Sequence, residues 1–263
     1  MEKNLRKNNQ KAWEQNTYKA WLNRFGTPEK AAKKIMKDPV KRLSTLYKYF
    51  DELEGKKVMN LLGSNGNKAV ALALLGADVT IADFSYGNYK YAKDLADASK
   101  VDINYLVKDV LNLPKEELTG KYDYVFAELG ILHYFQDLKP LMETIDKLLK
   151  KEGRLILQDF HPFSTKLISS RGKRHKTRKH KIKGNYFDTS LEERDVAFSK
   201  FLKEEDRKNF SKVKLRKWTL GEVITAIASE GLFIRVLEEL PNMSSNVFDP
   251  GIPKSFTVVA EKI

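Results

Sequence analysis

The chain has 263 residues, 41% hydrophobic and 32% charged, with a formal net charge of +13 and no cysteine. That is enough chain for one large domain with a cap. The missing cysteines exclude disulfides, thiolate catalysis and cysteine-ligated metals, and they fit a cytoplasmic protein. No apolar run reaches the length of about 18 residues that a membrane span needs, and the charged start Met1–Lys7 lacks the apolar stretch of a secretion signal.

Lys3 to Asp51 reads as helical. Trp13, Tyr18, Trp21 and Phe25 recur at helical spacing, Thr27-Pro28-Glu29 forms an N-cap with proline at the first helical position, and Leu43, Leu46, Tyr47 and Phe50 make a further apolar stripe. Strands and helices then alternate: strand Val58–Leu62, helix Asn67–Leu75 closed by Gly76, strand Val79–Ala82, helix Tyr86–Ala98, strand Ile103–Val107, strand Tyr122–Ala127, helix Leu138–Leu149, a break at Gly153 and strand Arg154–Gln158. Such alternation predicts a parallel sheet with helices on both faces. After Asp159-Phe160-His161-Pro162 the pattern stops. Val196, Phe198 and Phe201 fit extended segments or a helix, Thr219–Gly231 is a clear helix, and Phe233–Glu238 and Phe256–Glu261 are the last two strands. The turn-rich link Asn242–Pro253 between them points to an antiparallel strand closing the sheet. The expected division is a helical cap at 1–54, a core at 55–163, a basic insertion at 164–217 and completion of the core sheet at 218–263.

Within the core, the first strand runs into the turn Gly63-Ser64-Asn65-Gly66, and the second ends in Asp83, 20 positions after Gly63. This is the distance at which a β-α-β unit places an acid to hold a ribose. Five parallel strands, a helix, a sixth strand and an antiparallel seventh resemble the class I S-adenosylmethionine-dependent methyltransferases, a Rossmann-like α/β fold. Their first motif is an acid followed by Gly-x-Gly-x-Gly; aligned without a gap, Asn60 stands at the acid and Leu62, Ser64 and Gly66 at the three glycines, with Gly63 between. The resemblance covers Lys56–Asp159 and, less fully, Trp218–Ile263. It implies S-adenosylmethionine as cofactor, with S-adenosylhomocysteine as product and no metal. It also implies a cofactor site at Asn60, Gly63, Ser64, Asn65, Gly66, at Asp83 with Phe84 and Ser85 for the ribose, at Asp109 with Val110 for the adenine, and at Glu128 and Leu129 after the fourth strand. Tyr18 and Trp21, on a helix just before the nucleotide fold, are candidates for an aromatic lid, although rings at helical spacing also suit a core.

A sulfonium donor leaves the protein chiefly to orient the acceptor and exclude water. The acceptor belongs above the carboxyl ends of strands four and five, where His133, Tyr134, Asp159 and His161 lie by chain position. His133 and His161 are the candidate general bases, since a histidine near its free pKa accepts a proton at neutral pH, and each also has a packing or capping reading. Between Ser164 and Lys217 there are 18 Lys and Arg against 7 Asp and Glu, and Arg171–Lys181 is the densest run. It suits a solvated loop, a substrate cap or a phosphate backbone; the last would bind with steep salt dependence. The expected activity is methyl transfer to a small molecule, by a monomer or homodimer without membrane contact. Nucleic-acid methylation through the basic insertion and non-catalytic S-adenosylmethionine binding are the alternatives. A nicotinamide dehydrogenase is disfavoured by the missing third glycine of Gly-x-Gly-x-x-Gly.

Overall fold

The computed structural model describes residues 2–171, 179–208, 210–241 and 251–263. Seven strands form the central sheet: β1 (Lys57–Leu61), β2 (Asp78–Asp83), β3 (Asn104–Val107), β4 (Tyr122–Glu128), β5 (Leu149–Phe160) and, after four short strands outside the sheet, β10 (Leu232–Leu240) and β11 (Ser255–Lys262). Their order is β10-β11-β5-β4-β1-β2-β3. β1 pairs in parallel with both β2 and β4, β2 with β3, and β4 with β5; β11 runs antiparallel between β5 and β10. The expected parallel sheet closed by an antiparallel last strand is therefore present. The order reverses between β1 and β4, so the crevice of an open α/β sheet lies at their carboxyl ends.

Two apolar cores sit on the two faces. One packs α5 (Asn67–Leu74) and α6 (Tyr86–Ser99) with the N-terminal helices α2 (Thr17–Phe25) and α3 (Pro28–Lys37), around Val70, Leu72, Ile81, Tyr91 and Phe126. The other packs α7 (Lys139–Leu148) and α8 (Leu220–Ser229) around Leu141, Ile145, Leu157, Ile227 and Val258. The caps are the ones their sequences specify: the Thr27 side chain accepts from Lys30 N ahead of Pro28, and Thr219 and Glu222 form a reciprocal capping box. Gly76, at φ 91°, ends the turn after α5.

One expectation needs correcting. β5 begins at Leu149, well before Arg154. Gly153 does not break the chain there: Glu152 takes a left-handed φ of 64° and the β4–β5 register shifts between Tyr122 and Tyr124, so the strand passes through an irregularity and continues. Of the two readings left open for Val196, Phe198 and Phe201, the helical one holds: Ala197–Phe201 is a 3₁₀-helix, with Val196 and Phe198 buried against the N-terminal helices. The segment after β5 carries two hairpins, β6 (Ile168–Arg171) with β7 (Lys179–Ile182) and β8 (Leu191–Arg194) with β9 (Val213–Arg216). Most of the Arg171–Lys181 run lies outside the described residues.

The helix α1 (Glu2–Trp13) reaches across the crevice and is fastened on both sides. Toward the insertion, the buried Asn9 amide donates to Lys214 O (3.1 Å) and accepts from Lys214 N (2.9 Å), and Gln15 accepts from Ser211 N (2.8 Å). Toward the sheet, Gln10 donates to Phe84 O (3.3 Å), Glu14 accepts from Tyr86 N (2.7 Å), and Ser85 Oγ donates to Trp13 O (3.2 Å). The two parts of the chain most remote from the core motifs thus form one cover over it. No helix among the described residues is long and apolar enough to cross a membrane.

Candidate functional site

β1 delivers the chain into a tight turn whose backbone is more regular than its sequence. Leu62, Ser64 and Gly66 all take left-handed φ values, 47°, 50° and 72°. Only glycine adopts this region without strain; other residues pay about 1 kcal/mol or more. The geometry that three glycines would give is therefore imposed on a leucine and a serine, held by Leu62 N donating to Ala82 O (2.8 Å) and Tyr105 OH donating to Ser64 O (3.0 Å). Gly66 must be glycine for a second reason: a Cβ there would meet Ala92 Cβ at 2.7 Å, where α6 passes close to the start of α5.

Asn60 is buried beneath this turn. Its Nδ2 donates to Phe126 O (3.2 Å), and its Oδ1 is buried with no partner. A Cβ on Gly63 would come within 2.6 Å of that oxygen, so the glycine leaves room for the amide. An orphaned acceptor in a closed site costs about 1–3 kcal/mol unless a ligand supplies a donor.

Asp83 ends β2 and is buried. Its carboxylate accepts from Ser85 N (2.9 Å), Asn88 Nδ2 (3.2 Å) and Ser64 N (3.1 Å), which tie the glycine turn to the start of α6. Burial raises its pKa to about 6, against the opposing pull of those three hydrogen bonds. Asp109 follows β3 and caps the next turn through Leu111 N (3.0 Å); Arg6 of α1 pairs with its other oxygen at 3.2 Å. Asp83, Phe84, Asp109, Val110 and Leu62 line one cavity together with Arg6 and Asn9. That cavity measures about 20 Å³, room for one water and far short of the roughly 300–1,000 Å³ of small-molecule sites. The residues that would hold an adenosine are assembled, and α1 fills the space above them.

Tyr18 and Trp21 take the core reading, not the lid. Tyr18 donates to Asp94 (2.6 Å) and packs on Tyr91; Trp21 is buried among Phe25, Phe198 and Phe201 and donates to Asn88 Oδ1 (2.8 Å). Their helical spacing turns both rings toward α6 and away from the crevice. Trp21 still bears on the site at one remove, because Asn88 is the side chain that holds Asp83. Asn88 is missed by motif reading, although Ser85 capping a helix three residues before it marks the place.

After β4, Glu128 is paired with Lys68 (3.2 Å), and Leu129 and Gly130 both take positive φ, 55° and 80°. Buried Asp159 holds this turn by accepting from Gly130 N (2.6 Å), Leu132 N (3.2 Å) and Phe160 N (2.7 Å). His133 and Tyr134 follow and border a second cavity of about 610 Å³, walled by Phe160, Ile168, Val196, Leu215 and Lys217. His133 Nδ1 lies 3.1 Å from Arg216 O; as a donor there, it leaves Nε2 with a free lone pair. Arg216 is itself fixed, bonded to Gln136 O (2.9 Å) and Glu222 (2.7 Å) and stacked 3.5 Å from the Trp218 ring centroid. His161 is placed differently. It is buried, with Nε2 2.5 Å from Glu239 and Nδ1 accepting from Phe163 N (3.1 Å), so both ring nitrogens are engaged in holding the turn after β5.

Comparison with known proteins agrees with this geometry. A family model described as a methyltransferase domain matches residues 62–157. Over 107 residues the chain is 29% identical to a demethylmenaquinone methyltransferase of Clavibacter sepedonicus, covering 40% of this chain and 42% of the relative. Over 106 residues it is 30% identical to a ubiquinone biosynthesis O-methyltransferase of Xanthomonas oryzae pv. oryzae, covering 40% and 44%. The matched segment thus spans less than half of either curated relative. The crystal structure of an S-adenosylmethionine-dependent methyltransferase from Mesorhizobium loti superposes with a TM-score of 0.62 at 20% identity, covering 82% of this chain and 95% of that one. At that identity the likeness establishes the fold.

Proposed function

We propose that this chain, which has the fold of the class I S-adenosylmethionine-dependent methyltransferases and matches a methyltransferase domain over residues 62–157, transfers a methyl group from S-adenosylmethionine to a small-molecule acceptor. The observation that carries the reading is Asp83, buried at the end of β2 and bonded to a turn whose Leu62, Ser64 and Gly66 keep the left-handed path of a glycine motif.

Bound in this crevice, S-adenosylmethionine supplies a methyl group already activated on a sulfonium. The chain's part is to bind, orient and exclude water. Ionised Asp83 would accept from the ribose hydroxyls, Asp109 and Val110 would serve the base, and the orphaned Asn60 Oδ1 would accept from the cofactor's ammonium. Asn60 contributes no charge there, unlike a carboxylate, which leaves the site weaker by about 1–2 kcal/mol. The 610 Å³ cavity beside His133 takes the acceptor, and its size suits a small molecule. His133 is the general base: with Nδ1–H given to Arg216 O, its Nε2 removes the proton from an attacking hydroxyl or amine. α1 and the β8–β9 hairpin keep bulk water out of the crevice. The names of the matched relatives, which act on quinone precursors, support a small acceptor.

Calorimetry with S-adenosylmethionine and S-adenosylhomocysteine, using NAD and ATP as controls, tests the reading. Micromolar binding of the first pair alone, lost in Asp83→Ala with the fold intact, is the expected result. Binding of NAD in preference, or affinity unchanged by Asp83→Ala, would overturn it.

A further inference from the structure

On the face of α2, α3 and α4 (Pro39–Leu43) that abuts the start of α5 lies a third cavity, of about 620 Å³, outside both sites above. Phe25, Ala31 and Ile35 form an apolar floor, and around it stand Arg24, Lys34, Lys37, Lys41 and Arg42. Asp38 is the one acid among the lining residues, and its carboxylate caps α4 by accepting from Lys41 N (2.8 Å). Among the described residues, none of the five cations has a carboxylate within salt-bridge distance. Elsewhere in the molecule Arg and Lys side chains are commonly paired, as Lys68 is with Glu128 and Arg216 with Glu222.

Two of these cations are brought together at a cost. The guanidiniums of Arg24 and Arg42 lie over the same ring, 5.7 Å and 5.5 Å from the Phe25 centroid. Arg42 is half-buried and its Nε is enclosed without a partner; burial pushes its pKa down, Glu128 opposes that, and Arg24 adds to it. Like charges converging in a partly desolvated pocket repel each other, and the ring face compensates for only part of that. An anion in the cavity that both side chains line would offset their charge. A planar guanidinium pair matches a phosphate oxygen face, and the flanking lysines add charge without demanding geometry.

We propose that this cavity is a binding site for a small organic phosphate, with the phosphate held by Arg24 and Arg42 and the apolar body of the ester resting on Phe25, Ala31 and Ile35. The rim supplies the charge, and the floor distinguishes an ester from a bare phosphate ion. The site does not depend on the methyl-transfer reading, because none of its lining residues lies on the donor or acceptor cavities.

The test is calorimetric titration of the full chain at physiological salt with phenyl phosphate, inorganic pyrophosphate and a short RNA. The variants are Arg24→Gln/Arg42→Gln, Arg42→Lys, and Lys181→Gln/Lys183→Gln as a control outside the cavity. Saturable binding of phenyl phosphate is expected, weakened about tenfold or more by the double glutamine variant, partly kept by Arg42→Lys and unaffected by the control. Pyrophosphate binding as tightly as the ester would assign the site to a free phosphate ion and overturn the ester reading. Absence of saturable binding by either phosphate would overturn the site itself. So would RNA binding lost with Lys181 and Lys183 while the phosphates bind nowhere. Thermal melts of each variant separate lost binding from lost folding, and Arg42→Lys retains the charge if removing it unfolds α4.

Discussion

The Arg6 guanidinium lies 3.2 Å from the Asp109 carboxylate and ties α1 to the loop after β3, on the wall of the cavity that Asp83 also lines. On the reading proposed above Asp109 serves the adenine, and here it is engaged by the chain's own N-terminal helix. On that reading, cofactor entry requires α1 to lift, breaking this pair and the Gln10, Glu14 and Ser85 bonds beside it.

Arg6→Ala should accordingly speed cofactor association. A half-buried pair of this kind is worth about 0.5–1 kcal/mol, so the association rate for S-adenosylhomocysteine should rise about twofold to fivefold in stopped-flow fluorescence. Trp13, on α1 and bonded to Tyr134, is a built-in reporter. A rate that stays the same or falls would mean that α1 is not the gate.

Asp83 makes opposite predictions for folding and for binding. Its folded pKa of about 6 lies above the free value of 3.8, so the folded chain holds this proton more tightly than the unfolded one. Its contribution to stability is full below pH 3.8 and is lost as pH rises through about 6. Relative to Asp83→Asn, the ligand-free wild type should gain up to about 3 kcal/mol between pH 7.5 and pH 4 in denaturant melts. Cofactor affinity should move the other way and weaken as pH falls through about 6, because a protonated carboxyl loses acceptor sites for the ribose. Parallel trends in the two measurements would remove Asp83 from the ribose site.

How much of this was legible in the sequence depends on the distance over which each contact acts. The parallel strands with their antiparallel last strand, the caps at Thr27 and Thr219, and the strand-end positions of Asp83 and Asp109 follow from local periodicity and spacing, and they appear where expected. Arg6 and Asn9 gave no such signal, since their partners Asp109 and Lys214 are about 100 and 200 residues away. The β8–β9 hairpin was hidden for a similar reason: Leu191–Arg194 and Val213–Arg216 are short, charged and separated by the buried turn around Phe198. Leu62 and Ser64 looked like an eroded motif because sequence records the side chain, whereas the retained feature is the sign of φ.

That distinction can be tested at Ser64. With φ at 50°, Ser64→Gly should be neutral or stabilising by up to about 1 kcal/mol, since relief of strain offsets the added freedom of the unfolded chain. Ser64→Val should cost about 1–2 kcal/mol in chemical unfolding, a β-branched residue being the worst fit to this region. If the glycine variant were the less stable of the two, the left-handed turn would be refuted.

His133 is separable from its surroundings by kinetics. His133→Ala should cut turnover about 100-fold with cofactor affinity kept. Glu222→Gln weakens the clamp on Arg216, whose carbonyl fixes the imidazole, and should lower turnover by less than His133→Ala does, with cofactor affinity kept. A fully active His133→Ala enzyme would reduce the histidine to a wall of the cavity.

The pairing of Asn60 with Gly63 yields the sharpest structural test, because the two residues share one small space. A Cβ at position 63 would sit 2.6 Å from Asn60 Oδ1 and 2.9 Å from Ile81 Cγ2, both buried. Gly63→Ala should therefore destabilise the fold by about 1–3 kcal/mol through overpacking. Asn60→Ala opens the space but removes the donor to Phe126 O, and it also removes the unpartnered Oδ1, so its own cost should be smaller than that of losing a fully satisfied amide. In the double variant the new methyl occupies the vacated volume, and only the Ile81 contact remains too close. The two substitutions should then be less harmful together than their sum by about 1 kcal/mol, measured as the coupling energy of a double-mutant cycle in urea. Cofactor affinity in the double variant should stay low, because the acceptor proposed for the ammonium is gone. Additive stabilities would show that the glycine serves the turn alone, and recovered affinity would show that Asn60 is not the acceptor.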